Sequence, residues 1–353
     1  VDQGDAILIE LPNQEIMLID GAKSSQENNV LKYLNNLEID KIDYIVGTHP
    51  HADHIGGLAS VIKNYKIGKI YLPEVMHTSK TYENLLITIK DKGKKIKRAV
   101  SELKIINEDN LKIEILSPKA KEYSNLNNYS IVLKINYKQS SFLFTGDIEK
   151  EVEWELINSD YDLNSDLLKV SHHGSDSSSS FDFIEKVSPE FAVISVGKNN
   201  SYGHPSVEVI NSLQNIGSKV FRTDQQGTII AVSDGEEIKI NKKAQSVAKK
   251  LIKEDQVFIE KLDCEEELLI LKNNKDEEID LSNWKIISVV GKQEYIIPEN
   301  TIIRPGEILK IKSGRSIIKD AKTLIWSKAY IWNDDGDKAE LYDNKDRLIH
   351  SYE

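Results

Sequence analysis

The chain has 353 residues, with 46 Lys and Arg against 57 Asp and Glu for a formal net charge of −11, eight histidines and one cysteine. Such a length suits two domains, each able to bury a core, and the lone Cys264 excludes an internal disulfide framework. The acidic balance disfavours a general polyanion-binding surface, which needs Lys and Arg against phosphates, although two divalent ions would concentrate four positive charges at one point. No stretch reaches the roughly 20 apolar residues that span a bilayer, so no transmembrane segment is expected. Val1 opens in the second half of what reads as a motif, and the natural start is expected upstream. Asp2 to Ile9 and Ile16 to Ile19 read as strands joined by a turn at Pro12-Asn13. Asp20-Gly21 closes the second strand, where a carboxylate can hold a metal-ligating histidine in place. Asn28 to Leu37 has helical spacing and Ile42 to Val46 is a buried strand.

Thr48 to Gly57 then places His49, His51, Asp53 and His54 within six residues, between that strand and a helix expected over Ile55 to Tyr65. The tight loop can aim His49 and His51 at one cation, and Asp53 with His54 at a second. Imidazole and carboxylate suit zinc and similar ions, and two ions about 3.5–4 Å apart form a hydrolytic device. The alternative is a surface histidine cluster with an Asp helix cap.

Downstream, Lys66 to Leu72 reads as a strand and Tyr82 to Lys92 as a helix, the alternation of a layered α/β fold. The basic run Lys94, Lys95, Lys97 and Arg98 reads as a solvated loop, or else a patch for substrate phosphate. Leu111 to Leu116, Ser130 to Tyr137 and Ser141 to Thr145 read as strands, the last ending in Gly146-Asp147, a carboxylate placed to be shared by two metals. Leu167 to Val170 delivers Ser171-His172-His173-Gly174-Ser175, and Phe191 to Val196 leads to Tyr202-Gly203-His204-Pro205. Six of the eight histidines thus follow predicted strands, and His77 and His350 read as ordinary surface residues. Ile229 to Val232 and Ile238 to Ile240 close the first domain. Residues 241–257 read as a polar, lysine-rich linker with a short helical pattern, and residues 258–353 as short β runs between turns, an all-β sandwich or barrel.

His49, His51, Asp53 and His54 with Gly56-Gly57 resemble the signature of the metallo-β-lactamase fold superfamily, which implies a four-layer αββα hydrolase domain over residues 1–240. Gln3-Gly4-Asp5, His172-His173-Gly174-Ser175, and Tyr202-Gly203-His204-Pro205 with Thr223-Asp224-Gln225-Gln226-Gly227 resemble the ComEC-like competence branch, linked to degradation of the non-transported DNA strand. Position 2 departs from that branch, with Asp for the usual Gly. As in that branch, no histidine lies between His77 and His172, and Asn127-Asn128-Tyr129-Ser130 stands there instead. Leu268 to Asn274, Ile279 to Trp284, Ile303 to Glu307 and Trp332 to Asp343 resemble the lamin-tail domain, an immunoglobulin-like sandwich, with Trp284 expected in its core.

These resemblances imply two-metal hydrolysis of a phosphodiester, with DNA as the expected substrate. His49, His51 and Asp147 would hold one ion, zinc or manganese, and Asp53, His54, Asp147 and His172 the other. Asp53 would also orient the water, while His173, His204 and Ser175 contact phosphate oxygens or protonate the leaving group. One rival is a small-molecule esterase of the phosphorylcholine-esterase or lactonase kind, which few aromatics disfavour. Another is an envelope-binding protein with a degenerate hydrolase domain, which the intact ligand set disfavours. Lamin-tail domains on bacterial hydrolases imply an extracytoplasmic place, secreted or envelope-associated, with the cytoplasm as alternative, and a C-terminal domain that binds an envelope component or a protein.

Overall fold

A computed structural model describes residues 2–242, 244, 257–264, 266–314, 323–333, 337–345 and 347–352. It divides into two compact units, Val1–Gln245 and Ser246–Glu353.

In the first unit the expected hairpin forms from β1 (Ile7–Glu10) and β2 (Ile16–Ile19), paired antiparallel with Ile9 opposite Met17. Helix α1 (Glu27–Asn36) leads to β3 (Lys41–Val46). The single helix expected after the histidine loop is instead two, α2 (Ala52–Ile55) and α3 (Leu58–Asn64), separated by Gly56-Gly57. Close approach explains the glycines: a Cβ on Gly57 would stand 2.2 Å from the carbonyl oxygen of Gly21. Next come β4 (Lys66–Pro73), α4 (Lys80–Asp91) and β5 (Ile96–Ala99), which completes a sheet in the order β1-β2-β3-β4-β5. The basic run read as a loop therefore supplies the edge strand, where charge blunts pairing with other chains.

The second sheet contains β6 (Lys104–Asn107), β7 (Leu111–Ser117), β8 (Val132–Tyr137), β9 (Ser140–Phe144), β10 (Leu167–Lys169), β11 (Phe191–Ile194) and β12 (Lys219–Arg222), hydrogen-bonded in reverse chain order. Helices α5 (Lys150–Ile157), α6 (Phe181–Val187) and α7 (Val207–Asn215) connect its later strands, and the one-turn α8 (Thr223–Gln226) follows β12. A hairpin of β13 (Ala231–Ser233) and β14 (Ile238–Ile240) follows.

Strand alternation sorts the side chains into layers. Met17, Ile19 and Tyr71 face Ile113, Ile115 and Leu133 between the two sheets. Leu18, Ile70 and Leu72 face the other way, onto Val30, Leu58, Val61 and Leu85 of the helices covering the first sheet. Val152, Phe183 and Leu213 of α5, α6 and α7 cover the second sheet through Leu143, Leu168 and Ala192. The result is the four-layer αββα arrangement.

The second unit is mostly strand, β15 to β24 at Val257–Asp263, Leu268–Asn273, Ile279–Asp280, Lys285–Ser288, Gln293–Ile296, Ile302–Ile303, Ile308–Lys312, Thr323–Ile325, Ala339–Tyr342 and Leu348–Tyr352. Two four-stranded sheets, β15-β16-β21-β22 and β19-β18-β23-β24, share a core of Leu269, Leu271, Ile311, Ile286, Leu341 and Trp332. Trp284 packs against that core half-buried. His350 is not an ordinary surface residue: its half-buried ring accepts the Ile259 amide at 3.3 Å and lies against Phe258. Most of the linker expected over 241–257 lies outside the described residues.

Glu267 joins distant parts of this unit. Its buried carboxyl oxygens accept the amides of Ile331, at 2.9 and 3.1 Å, and Trp332, at 3.1 Å, together with the Ser313 hydroxyl. Removing the acceptor leaves buried donors unpaired, so Glu267→Ala is expected to destabilise this unit by about 3 kcal/mol, seen in urea unfolding of the whole chain as a lower midpoint of the corresponding transition.

Candidate metal centre

Parallel pairing brings strand ends together, and the donors sit on the loops that leave them. β2, β3 and β4 run parallel in the first sheet, and β9, β10 and β11 in the second. Asp20 follows β2, His49 to His54 follow β3, Asp147 follows β9, His172-His173 follow β10 and His204 follows β11.

Asp20 organises the histidine loop from beneath. It accepts the Thr48 amide at 2.8 Å and the Thr48 hydroxyl at 2.7 Å, and its Oδ2 lies 2.7 Å from His54 Nδ1. With that nitrogen engaged, His54 turns Nε2 to Asp147 Oδ2, 3.1 Å away. His49 Nδ1 is held by Thr48 Oγ1 at 3.1 Å and Ser130 Oγ at 3.2 Å, which leaves Nε2 3.9 Å from Asp147 Oδ2 and 3.0 Å from His51 Nδ1.

Ser130 also accepts the Asp147 amide at 3.0 Å, and Asn125 and Asn127 donate to Glu149 at 2.8 and 2.9 Å. The Asn127 to Ser130 segment is thus a polar clasp on the loop that carries Asp147.

Among the described residues three sets have their ligand atoms within 4.8 Å of one another: Asp5, Asp20 and His54 beneath the loop, and two donor groups facing Asp147 and Asp53, one of His49, His54 and Asp147 and one of Asp53, His54 and His173; the expected ligand His51 is in none of them. Here the geometry departs from the expectation that His172 joins Asp53 and His54. His173 Nε2 lies 3.5 Å from Asp147 Oδ2 and 3.7 Å from Asp53 Oδ2, while its Nδ1 is 2.8 Å from the Ser195 carbonyl. His172 has only Asp147 Oδ2 at 3.9 Å on that side, and its Nδ1 faces Ser177 Oγ at 3.2 Å and Glu149 at 3.7 Å. The cause is backbone conformation. Both histidines are left-handed, with φ of 46° and 56°, and the resulting turn sends His173 inward while His172 stays partly exposed.

His204 lies beside His172, ring centroids 5.7 Å apart, stacks on Tyr202, and keeps a buried Nδ1 without a hydrogen bond. It belongs to neither donor group. The Ser175 hydroxyl bonds only within its own loop, to Asp176 at 3.5 Å and to Ser177 Oγ at 3.1 Å, so the structure does not bring it to the donors.

Two neighbours of the centre were missed in the sequence, Asp5, which had no assigned role, and His77, which read as an ordinary surface residue and is instead half-buried. Asp5 pairs with the buried Lys169 at 2.9 Å and its other oxygen lies 3.8 Å from His173 Nδ1. Gly4, at φ +123°, allows this: a Cβ there would stand 2.1 Å from the Asp53 carbonyl oxygen. The motif Gln3-Gly4-Asp5 was the available signal. The other is His77, whose ring centroid lies 6.4 Å from that of His51.

The electrostatics favour cations. Burial lowers His54 and His173, but Asp147 with Asp20 in one case, and Asp147, Asp53 and Asp5 in the other, outweigh it and hold both imidazoles above their ordinary range. Burial lowers His49 and His51. Burial raises Asp53, yet His173 and His54 facing it pull its carboxyl below the usual carboxylate range. Asp147 Oδ1 and His173 Nε2 are buried without hydrogen-bond partners. Orphaned lone pairs among imidazoles and carboxylates fit a divalent ion of the zinc or manganese kind.

Residues 1–198 match the Metallo-beta-lactamase superfamily and residues 252–353 the Lamin Tail Domain. ComE operon protein 3 of Bacillus subtilis (strain 168) is 32% identical over 249 residues, 65% of this chain and 32% of that protein. Competence protein ComA of Neisseria gonorrhoeae is 29% identical over 228 residues, 64% of this chain and 30% of that protein. The chain therefore spans about a third of the length of the curated relatives it matches. The metallo-beta-lactamase fold protein YhfI from Bacillus subtilis aligns at a TM-score of 0.41 with 12% identity, covering 62% of this chain and 88% of that one. Among the described residues no helix is long and apolar enough to cross a membrane. With a family match over more than half its length and the donor loops in place, the chain belongs to the metallo-beta-lactamase superfamily of metal-dependent hydrolases, has competence-protein homologues and carries a lamin tail domain.

Proposed function

We propose that the chain is a dinuclear phosphodiesterase acting on DNA. One observation carries this reading: a single oxygen of Asp147, Oδ2, has nitrogens of His49, His54 and His173 at 3.9, 3.1 and 3.5 Å, and the other, Oδ1, is buried and unpartnered, so one carboxylate with a spare oxygen stands among imidazoles from two loops. His49, His51 and Asp147 would hold one zinc or manganese ion, and Asp53, His54, Asp147 and His173 the other. Such ions, when bound, lower the pKa of a water toward about 7 and neutralise charge that builds up on a phosphoryl group. Asp53 would orient that water. His204 and His172, adjacent to each other outside the donor groups, meet the phosphate oxygens and the leaving group. Ser130 stands in the part of the chain where a third imidazole is absent and bonds His49 Nδ1, the nitrogen turned away from Asp147, so the first position has two imidazoles and one carboxylate and would suit manganese as well as zinc.

DNA is favoured over a small ester because the two relatives are a ComE operon protein and a competence protein. A chain of net charge −11 also needs bound cations to receive a phosphodiester. The lamin tail domain then anchors the enzyme outside the cytoplasm to an envelope component or a protein. The test is turnover of single-stranded DNA, double-stranded DNA, RNA, bis-p-nitrophenyl phosphate and a lactone, with manganese, with zinc and with EDTA. Metal-dependent cleavage of single-stranded DNA and the bis-ester is expected; lactone hydrolysis without phosphodiester cleavage would replace this reading.

A further inference from the structure

Tyr202 stands on the loop between β11 and α7, two residues before His204, and is 64% exposed. Hydrogen bonds shape the loop that carries it. Asn200 Oδ1 accepts the amides of Tyr202 and His204, both at 3.1 Å, and its Nδ2 donates to the carbonyls of His204 at 2.7 Å and Gly197 at 3.2 Å. The same loop is tied to the turn that bears the adjacent histidines. The Ser206 amide donates to the Gly174 carbonyl at 2.8 Å, and a Cβ on Gly174 would stand 2.6 Å from Cβ of Pro205. Tyr202 is therefore placed by two interlocked segments, and its exposure is not that of a slack loop.

Four rings run outward from the donors in a row. The ring centroid of buried His173 lies 6.2 Å from that of His172, His172 lies 5.7 Å from His204, and His204 lies 5.7 Å from Tyr202. The planes of the last pair differ by 28°, an offset stack. His204 thus supports one face of the Tyr202 ring, and the exposure of the residue leaves the other side to solvent. A flat ring supported from behind and open in front is a surface for another flat ring. A phosphodiester held at His172 and His204 carries its bases toward the next ring outward, which is Tyr202. In a duplex the bases stack on one another and offer Tyr202 no face, whereas an unpaired base can turn onto it.

We propose that Tyr202 is a substrate-contacting residue on whose open face an unpaired nucleobase stacks. The inference rests on the phosphodiesterase reading given above and deepens it: the strand is taken unpaired and without regard to sequence, since every base has such a face. The full chain, loaded with manganese, is titrated by fluorescence anisotropy with a labelled oligothymidylate on a hydrolysis-resistant phosphorothioate backbone and with the same backbone made abasic, and ions are counted in each variant. The parent is expected to bind the oligothymidylate about tenfold tighter than the abasic strand. Tyr202→Ala is expected to weaken the oligothymidylate by about tenfold and leave the abasic strand and the ion content unchanged, with Tyr202→Phe within about threefold of the parent. A parent that binds both strands equally, or neither, would overturn the proposal. So would Tyr202→Ala that weakens both strands alike or neither of them, or Tyr202→Phe as weak as Tyr202→Ala, which would make the hydroxyl the contact. The phosphodiesterase reading fails separately: unmodified oligothymidylate left intact by the parent with manganese and with zinc, while base-dependent binding through Tyr202 persists, would remove cleavage and keep the contact.

Discussion

Asp147→Asn is expected to lower metal-dependent turnover of bis-p-nitrophenyl phosphate by about 10³-fold or more while the chain remains folded. Two divalent ions about 4 Å apart repel by roughly 16 kcal/mol at an effective dielectric of 20, four times the figure for unit charges of opposite sign taken as attraction. A carboxylate between them offsets part of that repulsion, and Asp147 is the described carboxylate that faces both donor groups. Asn keeps the side chain's size, and the Asp147 amide keeps its bond to Ser130, so the substitution removes charge and little else. Unfolding in urea monitors the fold. Activity within tenfold of the parent would place the shared charge elsewhere.

The second large effect separates adjacent histidines. His173→Ala is expected to lose one ion per chain and nearly all turnover, because His173 Nε2 is the buried imidazole nitrogen that meets both Asp53 and Asp147. His172→Ala and His204→Ala are expected to keep both ions and lose roughly 10² to 10⁴ in rate, the range for a group that transfers a proton to or from substrate. Ion content, read by elemental analysis beside the rate, tells the roles apart. If His172→Ala loses an ion and His173→Ala does not, the inward and outward histidines are exchanged.

That pair also marks the limit of what the sequence shows. His49, His51, Asp53 and His54 stand within six residues, so no long-range information is needed to see them as a cluster. Asp147 is legible because an apolar strand runs straight into Gly146-Asp147. Which of His172 and His173 points inward depends on two left-handed residues in succession, and side-chain alternation carries no sign of that turn. His77 comes 26 residues after His51, in a segment with an exposed methionine beside it. Its place at the centre follows from the register between β3 and β4, a pairing that no local pattern specifies. The helices α5, α6 and α7 have eight, seven and nine residues, too few for a 3.6-residue period to stand out, whereas α4, with twelve, is plain. The edge strand β5 reads as a loop because its exposed lysine and arginine, which guard the sheet edge, hide its pattern.

Counting ions in the parent protein tests the dinuclear centre most directly. The full chain is stripped with a chelator, reconstituted with manganese or zinc, freed of loose metal and measured by elemental analysis beside its protein concentration. The geometry around Asp147 predicts about two ions per chain with one or both metals. One ion or fewer with each would contradict it, since a single ion leaves either His49 and His51 or Asp53 and His173 without a role.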